Sequence, residues 1–318
     1  ACLYYQTTLT MSIPFLKILT KNLLFASFPL SAYSIIYNVK TRVSSAPFSR
    51  GRWRFVATME SSIGVFDSGL GGVSVLREAI RVLPHERFIY YGDNRNAPYG
   101  DRTEAEITEL TLRCAHTLAN QGVKAILIAC NTATATCIER IRNELDVPVV
   151  SVEPAIKPAC MQPGYGKILM MATRATTRLQ RYLDLQARMP DPSRILNIPC
   201  PGLVERIEQG IFAEDAFDDL LDTYLSAYHT MQIDGIVLGC THYVFIRNAI
   251  RRYATMHFSG ACKLFDGNEA TAHQLARVLE EHNMASDAGE PGGVEFHTSG
   301  DSSRYRPIFD MLLRQPGI

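Results

Sequence analysis

Several residue types are scarce in this sequence, and each scarcity argues against one class of protein. After residue 60 the only lysines are Lys124, Lys157, Lys167 and Lys263, and none lies in a glycine-rich loop at a strand end. A pyridoxal phosphate site, which needs a Schiff-base lysine, is therefore poorly supported. The eight cysteines form no C-x-x-C pair and no Cys/His cluster with zinc-ligand spacing, which argues against a zinc site.

Acidic residues are absent from one part of the chain and abundant in the rest. Residues 1–59 contain seven of the 32 Lys and Arg residues and no Asp or Glu, so the remainder has 25 basic against 32 acidic residues. An acidic body without a basic stripe argues against nucleic acid as the main partner. Widely spread cysteines in a chain of 318 residues favour reduced thiols in a cytoplasmic enzyme over a disulfide framework.

The first 60 residues differ from the rest and are left out of the fold prediction. Residues 22–39 are the most apolar part, but Pro29 interrupts them and they are too polar for a convincing transmembrane helix. The segment has a weak signal-peptide shape without a clean cleavage site, and its acid-poor composition also fits a transit peptide. We favour an extension, disordered or non-native upstream sequence, with the working protein starting near Met59.

Two short apolar runs each end in a cysteine followed by small polar residues. Residues 125–129 lead to Cys130, and residues 235–239 lead to Cys240. Both runs are typical of buried parallel strands, and the polar residues suit the start of a helix. Either cysteine alone would be an ordinary core residue. As a pair at strand ends they could face each other across a cleft, where a helix N-terminus lowers a thiol pKa and favours the reactive thiolate.

Strand-like and helix-like segments alternate along the rest of the chain, which predicts parallel sheets covered by helices. The predicted strands are 63–66, 87–91, 125–129, 147–152, 168–172, 195–198, 235–238, 263–265 and 294–297, and the predicted helices are 73–82, 104–121, 134–144, 178–189, 213–231 and 269–282. The fold class is α/β, with two similar doubly wound parallel-sheet domains and the active site in the cleft between them. We predict a first domain at 61–157 plus 265–318, to which the strand before Asp266 returns, and a second at 158–264.

The loop Asp67-Ser68-Gly69-x-Gly71-Gly72 follows the first predicted strand and opens a helix. Its free backbone N–H groups could hold a phosphate or a carboxylate. It lacks the Lys-Ser/Thr of a P-loop, so nucleotide binding is a weak interpretation, and a tight strand-to-helix turn explains the glycines equally well. His242, two residues after Cys240, could exchange protons with a substrate or a nearby acid.

Taken together, these motifs resemble the glutamate racemase family of the cofactor-independent aspartate/glutamate racemase superfamily. The resemblance covers residue 63 to about residue 301 and is highly specific. The matching stretches, in the family's order, are GVFDSGLGGVSVLRE (64–78), YYGDNRNAPYGDR (90–102), AILIACNTATA (125–135), VPVVSVEPAIKPA (147–159), CPGLVERIEQG (200–210) and GIVLGCTHY (235–243).

The resemblance implies an isomerase that interconverts L- and D-glutamate and supplies D-glutamate for peptidoglycan. It implies a two-base mechanism with no metal and no cofactor. It also implies a cytoplasmic homodimer whose partner is a small-molecule substrate, glutamate, and neither nucleic acid nor membrane.

The resemblance also assigns roles to particular residues. Cys130 matches the cysteine that takes the proton from D-glutamate, and Cys240 matches the one that acts on L-glutamate. Asp67 matches the acid that assists the first thiol, His242 the imidazole that assists the second, and Glu208 a further assisting acid. The residues that match substrate-binding positions are Asp67, Ser68, Tyr99, Gly100, Asn131, Thr132, Thr173, Thr176, Thr241 and His242.

Two departures from the family pattern and three rival functions stay open. Leu179 replaces a frequent Ser, and Val244 replaces a usual Pro. A related racemase acting on aspartate or a hydantoin is the nearest rival. A non-catalytic regulatory binding protein is another, because some family members are reported to bind DNA gyrase, although a degenerate regulator would be expected to lose a cysteine. A nucleotide-binding protein is the third.

Overall fold

Two parallel β-sheets with helices between successive strands make up the architecture. A computed structural model of the chain describes residues 58–259 and 262–315, so the predicted extension lies almost wholly outside the described residues. The elements that build the first sheet begin with β1 (Ile63–Asp67), α1 (Val73–Val82), β2 (Phe88–Gly92), α2 (Glu104–Ala119), β3 (Ala125–Ile128), α3 (Asn131–Glu144) and β4 (Val149–Ser151). The predicted α/β class with parallel sheets is confirmed.

The chain then crosses to the second sheet and finally returns to the first. The elements after β4 are α4 (Ile156–Cys160), β5 (Lys167–Ala172), α5 (Gln180–Ala187), β6 (Ile195–Pro199), α6 (Leu203–Glu208), α7 (Asp218–Leu225), β7 (Ile233–Leu238), α8 (Arg247–His257), β8 (Lys263–Phe265), α9 (Asn268–Glu281), β9 (Val294–Thr298) and α10 (Ser302–Arg314). A 3₁₀ helix at Tyr99–Asp101 precedes α2, and another at Thr241–Ile246 precedes α8. Within the described ranges no helix is both long and apolar enough to cross a membrane.

Strand order explains where a site can form. The first sheet runs β4-β3-β1-β2-β9 and the second runs β6-β5-β7-β8, with every described pair parallel. In each sheet the chain adds a strand on one side of its starting strand and then turns to the other side. The turning points lie between β1 and β3 and between β5 and β7, and crevices at the carboxyl ends of such strands are where ligands bind in α/β sheets.

One strand was assigned to the wrong sheet by the sequence analysis. The strand before Asp266, β8, pairs with β7 in the second sheet, where Phe265 lies opposite Val237, and it is β9 that returns to the first sheet beside β2. The physical reason is the crossover from β7 through the 3₁₀ helix at Thr241–Ile246 and α8, which places β8 next to β7. The division into domains at 157/158 and 264/265 stays a prediction.

Helix boundaries also differ from the predicted ones. The predicted helix 213–231 is three pieces: α7 lies between short 3₁₀ helices at Glu214–Phe217 and Ser226–Tyr228. At the two junctions, Phe217 and Leu225 have φ values of −115° and −113°, well outside regular helix. Four helices without a prediction, α4, α6, α8 and α10, are present as well, three of them interrupted or bordered by Pro or Gly, which hides the helical period.

A buried ion pair fixes the beginning of the described chain. Lys124 is fully buried, its Nζ lies 2.5 Å from Oε2 of Glu86, and it donates a 2.6 Å hydrogen bond to the carbonyl of Met59. Thr58, one residue earlier, bonds to the nearby Ser61 in an exposed turn. Among the described residues, the first contact with the buried Lys124 is therefore made by Met59.

We expect a protein that begins at Met59 to match the full chain in melting temperature and turnover, because it keeps the Lys124 contact and every motif named above. Thermal unfolding and a racemisation assay on both proteins check this. A truncated protein that is insoluble or inactive would show that the extension packs on the enzyme, and the domain boundary would have to move.

Candidate active site

The loops at the two turning points meet one another. Thr132, after β3, and Thr173, after β5, have their hydroxyl oxygens 3.0 Å apart. The N–H of Ala175 donates to the carbonyl of Gly100 across the same boundary, at 3.1 Å. The structure thus brings residues from both sheets into one buried region, as the prediction of a cleft requires.

Cys130 is the last residue before α3 and is 5% exposed. Its thiol donates to the hydroxyl of Ser68 over 3.5 Å. Burial, aided by the nearby charge of Asp67, raises the pKa of this thiol to about 12, although hydrogen bonding with the Ala133 backbone and with the Ser68 hydroxyl opposes the rise. The lowered pKa predicted from the helix N-terminus is therefore wrong for Cys130, because desolvation outweighs the helix.

Asp67 ends β1 with its side chain fully buried. One carboxylate oxygen, Oδ2, accepts a 2.8 Å hydrogen bond from the N–H of Gly69, whereas Oδ1 is buried and has no hydrogen-bond partner among the described residues. Burial is the largest cause that raises the pKa of Asp67, and the charge of His242 partly offsets it. An unpartnered buried oxygen beside Cys130 is a group that can accept a proton or a hydrogen bond from a bound molecule.

Cys240 occupies the matching position after β7 but has different neighbours. It is 7% exposed, and its Sγ lies 3.7 Å from Nδ1 of His242. The opposite ring nitrogen, Nε2, lies 2.7 Å from Oε1 of Glu208. Burial alone would lower the pKa of His242, but the hydrogen bonds to Cys240 and Glu208 and their charges raise it well above its ordinary value.

Nε2 of His242 also lies 3.1 Å from the N–H of Gly71. One ring nitrogen cannot donate to Glu208 and accept from Gly71 at the same time. A protonated ring therefore donates to Glu208, and a ring without a proton on Nε2 accepts from Gly71. The arrangement gives His242 a hydrogen-bond partner in either protonation state.

The glycine-rich loop after β1 passes very close to these groups. A Cβ on Gly69 would lie 2.1 Å from Oε1 of Glu208, and a Cβ on Gly71 would lie 2.2 Å from Nδ1 of His242. The N–H of Leu70 donates to Oε1 of Glu208 over 2.6 Å. The glycines are therefore needed for close approach of backbone to side chain. The same loop therefore contacts the neighbours of Cys240 through Leu70 and Gly71, and it contacts Cys130 itself through the Ser68 hydroxyl.

The remaining predicted binding residues form a polar lining. The hydroxyls of Thr132, Thr173 and Thr176 lie 3.0 Å from one another in a buried triangle. Asn131 is 5% exposed, and its Oδ1 has no hydrogen-bond partner in the part of the chain that the structure describes. Thr241 is buried beside Gly71.

The hydroxyl of Tyr99, another predicted binding residue, does not join the threonine hydroxyls. It donates a 2.7 Å hydrogen bond to Oδ2 of Asp93, in a loop of the first sheet.

Two residues of the site were missed by the sequence analysis. Nδ2 of Asn94 donates to Oε2 of Glu208 at 2.9 Å, and the Ser74 hydroxyl lies 2.9 Å from the carbonyl of Gly71 and 3.0 Å from that of Thr241. The loop that contains Asn94 has an unusual Gly-Asp-Asn sequence, which was a usable signal. Ser74 gives none, since it resembles any polar residue in a helix. Over residues 58–259 and 262–315, no three His, Cys, Asp or Glu side chains are grouped to hold a metal ion.

The model of the Asp/Glu/Hydantoin racemase family matches residues 63–275 of the chain. The chain belongs to this family. A glutamate racemase from Clostridium botulinum (strain Okra / Type B1) is 41% identical over 255 residues, which are 80% of this chain and 96% of that protein. The family model therefore covers this racemase-family member from the start of β1 into α9.

Solved structures agree with this assignment. The glutamate racemase from Francisella tularensis in complex with D-glutamate has a TM-score of 0.70 and 27% identity, and the match covers 81% of this chain and 95% of that one. The Escherichia coli glutamate racemase in complex with L-glutamate and the activator UDP-MurNAc-ala has a TM-score of 0.68 and 28% identity, over 80% and 95%. The two-sheet architecture is thus that of structurally characterised family members.

Proposed function

We propose that this protein is a glutamate racemase that moves the α-proton between the two faces of glutamate with two thiols. The observation that carries the proposal is the pair Cys130 and Cys240. Both are buried at matching turning points of the two sheets, and they are close enough for the charge of Cys240 to contribute to the raised pKa of Cys130. One thiolate can remove the α-proton from one face of glutamate, and the planar carbanion-like intermediate can then take a proton from the thiol on the opposite face.

The different neighbours of the two thiols indicate which thiol donates a proton and which removes one in the resting enzyme. Burial keeps Cys130 protonated, since its pKa is raised to about 12, so it is the proton donor in the resting enzyme. A protonated His242 beside Cys240 is a counter-ion for a thiolate there, and Glu208 balances the imidazolium. In this assignment Cys240 removes the proton of L-glutamate, and Cys130, assisted by Asp67, delivers one to the other face.

Substrate binding is proposed for the polar lining. The α-carboxylate and side-chain carboxylate of glutamate need hydrogen-bond donors, and the Thr132, Thr173 and Thr176 hydroxyls can turn toward an anion. Asn131 and Asp67 offer buried acceptor atoms that suit an ammonium group. Exclusion of water from this region strengthens every such interaction with the carbanion-like state.

Exchange of the α-proton in heavy water tests the function directly. We expect purified protein to incorporate deuterium into both L- and D-glutamate and to racemise each, with aspartate a much poorer substrate. Preference for aspartate would favour the related-racemase alternative. Absence of exchange with either amino acid would contradict the proposal and favour a non-catalytic binding protein.

The reaction should proceed without a cofactor. We expect a chelator and a carbonyl-trapping amine to leave the rate unchanged, because the proposed chemistry needs only side-chain acids and bases. The racemisation rate with and without each reagent measures this. A strong loss that is restored by a metal ion or by pyridoxal phosphate would overturn the two-thiol mechanism.

The cellular setting is part of the same proposal. The named relatives are glutamate racemases, which supports a role in supplying D-glutamate for peptidoglycan in the cytoplasm. A homodimer follows from the resemblance alone. Sedimentation of the purified protein at working concentration distinguishes it from a monomer.

A further inference from the structure

We propose that Asn94 is a positioning residue that aims the Glu208 carboxylate at His242, and that Thr298 holds the Asn94 amide in the required orientation. The inference rests on the proposed function for its kinetic consequences but not for its structural ones. Asn94 is 4% exposed, and Glu208 is 7% exposed. Neither Asn94 nor Thr298 belongs to the predicted site, and Thr298 lies beyond the part of the chain that the family model matches.

The contacts form a continuous chain from the first sheet to the second thiol. The Thr298 hydroxyl donates to Oδ1 of Asn94 over 2.7 Å, and Nδ2 of Asn94 donates to Oε2 of Glu208 over 2.9 Å. Oε1 of the same carboxylate faces His242, which faces Cys240. The first sheet, through β9 and the loop after β2, thereby fixes a carboxylate that belongs to α6.

The orientation of the amide follows from the donors and acceptors around it. The Thr298 oxygen already accepts the N–H of Gly300 at 3.0 Å, so its own proton is available for Oδ1 of Asn94. With Oδ1 occupied in this way, the amide must present Nδ2 to Glu208. A flipped amide would set an oxygen against a carboxylate. Since Leu70 and Asn94 each hold one oxygen of Glu208, the carboxylate cannot rotate without losing both bonds.

The substitution Asn94→Asp gives a distinctive test. It keeps the shape of the side chain but places a second carboxylate against Glu208. When two carboxylates share a site, the pKa of one of them is raised, so the pair keeps one proton to a higher pH. The shared proton replaces the lost donor at mildly acidic pH, and its loss at higher pH sets two negative charges against each other. The charged or titratable groups that face Glu208 are His242, Asp67, Tyr90 and Tyr305, and all are unchanged.

We expect kcat of Asn94→Asp to be near that of the wild type at mildly acidic pH and to fall about tenfold relative to it at mildly alkaline pH. Asn94→Ala should lower kcat about tenfold at every pH, with little change in KM. Thr298→Val should also lower kcat, but by a smaller factor. In a protein that already has Asn94→Ala it should lower kcat little further, because both substitutions act through the Glu208 carboxylate.

Asn197 provides a matched control. Its Oδ1 accepts from the Tyr182 hydroxyl and its Nδ2 donates to Gln186 over 2.9 Å, the same hydrogen-bond pattern away from the site. Asn197→Ala and Asn197→Asp report the general cost of losing such an amide. A pH profile of Asn94→Asp that parallels the wild type, or one reproduced by Asn197→Asp, would overturn the proposal.

A second readout does not need activity. The ¹⁵N resonances of the His242 ring, identified by their loss in His242→Gln, should shift in Asn94→Ala and Asn94→Asp but stay in place in Asn197→Ala. Unshifted His242 resonances in a folded Asn94→Ala protein would refute the positioning role even if the wild type does not racemise glutamate. Shifted resonances together with an inactive wild type would leave the positioning role intact and refute the proposed function.

Discussion

Replacing Cys240 with alanine should lower racemisation of glutamate in both directions about 1,000-fold or more, because one of the two proton carriers is gone. Exchange of the α-proton of D-glutamate with solvent should partly survive, since Asp67 can accept the Cys130 proton and the resulting thiolate can remove and return the α-proton on its own face. Cys130→Ala should show the reverse, with exchange surviving for L-glutamate. Proton exchange followed by NMR in heavy water, beside a racemisation assay, measures both quantities.

Cys160→Ala is the control for this experiment. Cys160 is a buried cysteine at the end of α4, outside the proposed site, and its loss should leave both activities unchanged. Full racemase activity in Cys130→Ala or Cys240→Ala would rule out the two-thiol mechanism. Loss of exchange with both enantiomers in each variant would instead indicate that the two thiols act only as a unit.

A methyl group added at Gly71 should reduce racemisation about 100-fold while the protein stays folded. The new Cβ would lie 2.2 Å from Nδ1 of His242 and 2.7 Å from the Thr241 hydroxyl, so the imidazole must shift from its present position beside Cys240. Displacement of a catalytic group by about 1 Å costs a factor of this size. Steady-state kinetics and circular dichroism on Gly71→Ala test the expectation.

Gly293→Ala is the matched control, because a Cβ at Gly293 would meet nothing within 4 Å. It should match the wild type in turnover and melting temperature. A Gly71→Ala protein with wild-type turnover would show that the loop can yield without disturbing His242, and that the close approach has no functional role.

Local patterns predicted much of the fold and part of the site. The branched apolar run before Cys130 and the polar residues after it are neighbours in the sequence, so the strand, the cysteine and the helix start could all be identified. The same is true of Cys240. The rule that strand carboxyl ends share an edge placed each cysteine at the ligand-binding edge of its own sheet. That loops from the two edges meet, as Thr132 and Thr173 do, is a property of the whole fold.

What the sequence could not provide depends on distant contacts. By its local pattern Glu208 is an ordinary acid on a short helix, and only the family resemblance singled it out; the contact with Leu70, 138 residues away, could not be predicted. Asn94 and Thr298 meet across 204 residues. The direction of the Cys130 pKa shift was missed for a related reason: the helix effect is local and visible in the sequence, whereas burial is set by the whole fold.

The unlike surroundings of the two thiols have a thermodynamic consequence. L- and D-glutamate are mirror images and have the same free energy in water, so the protein can favour neither at equilibrium. The two halves of the site differ, with Asp67 and Ser68 beside one thiol and His242 and Glu208 beside the other. This difference can raise kcat for one enantiomer relative to the other only if the ratio of the two KM values rises by the same factor. The Haldane relation then requires kcat/KM to be equal for the two enantiomers, however unequal the two halves of the site are.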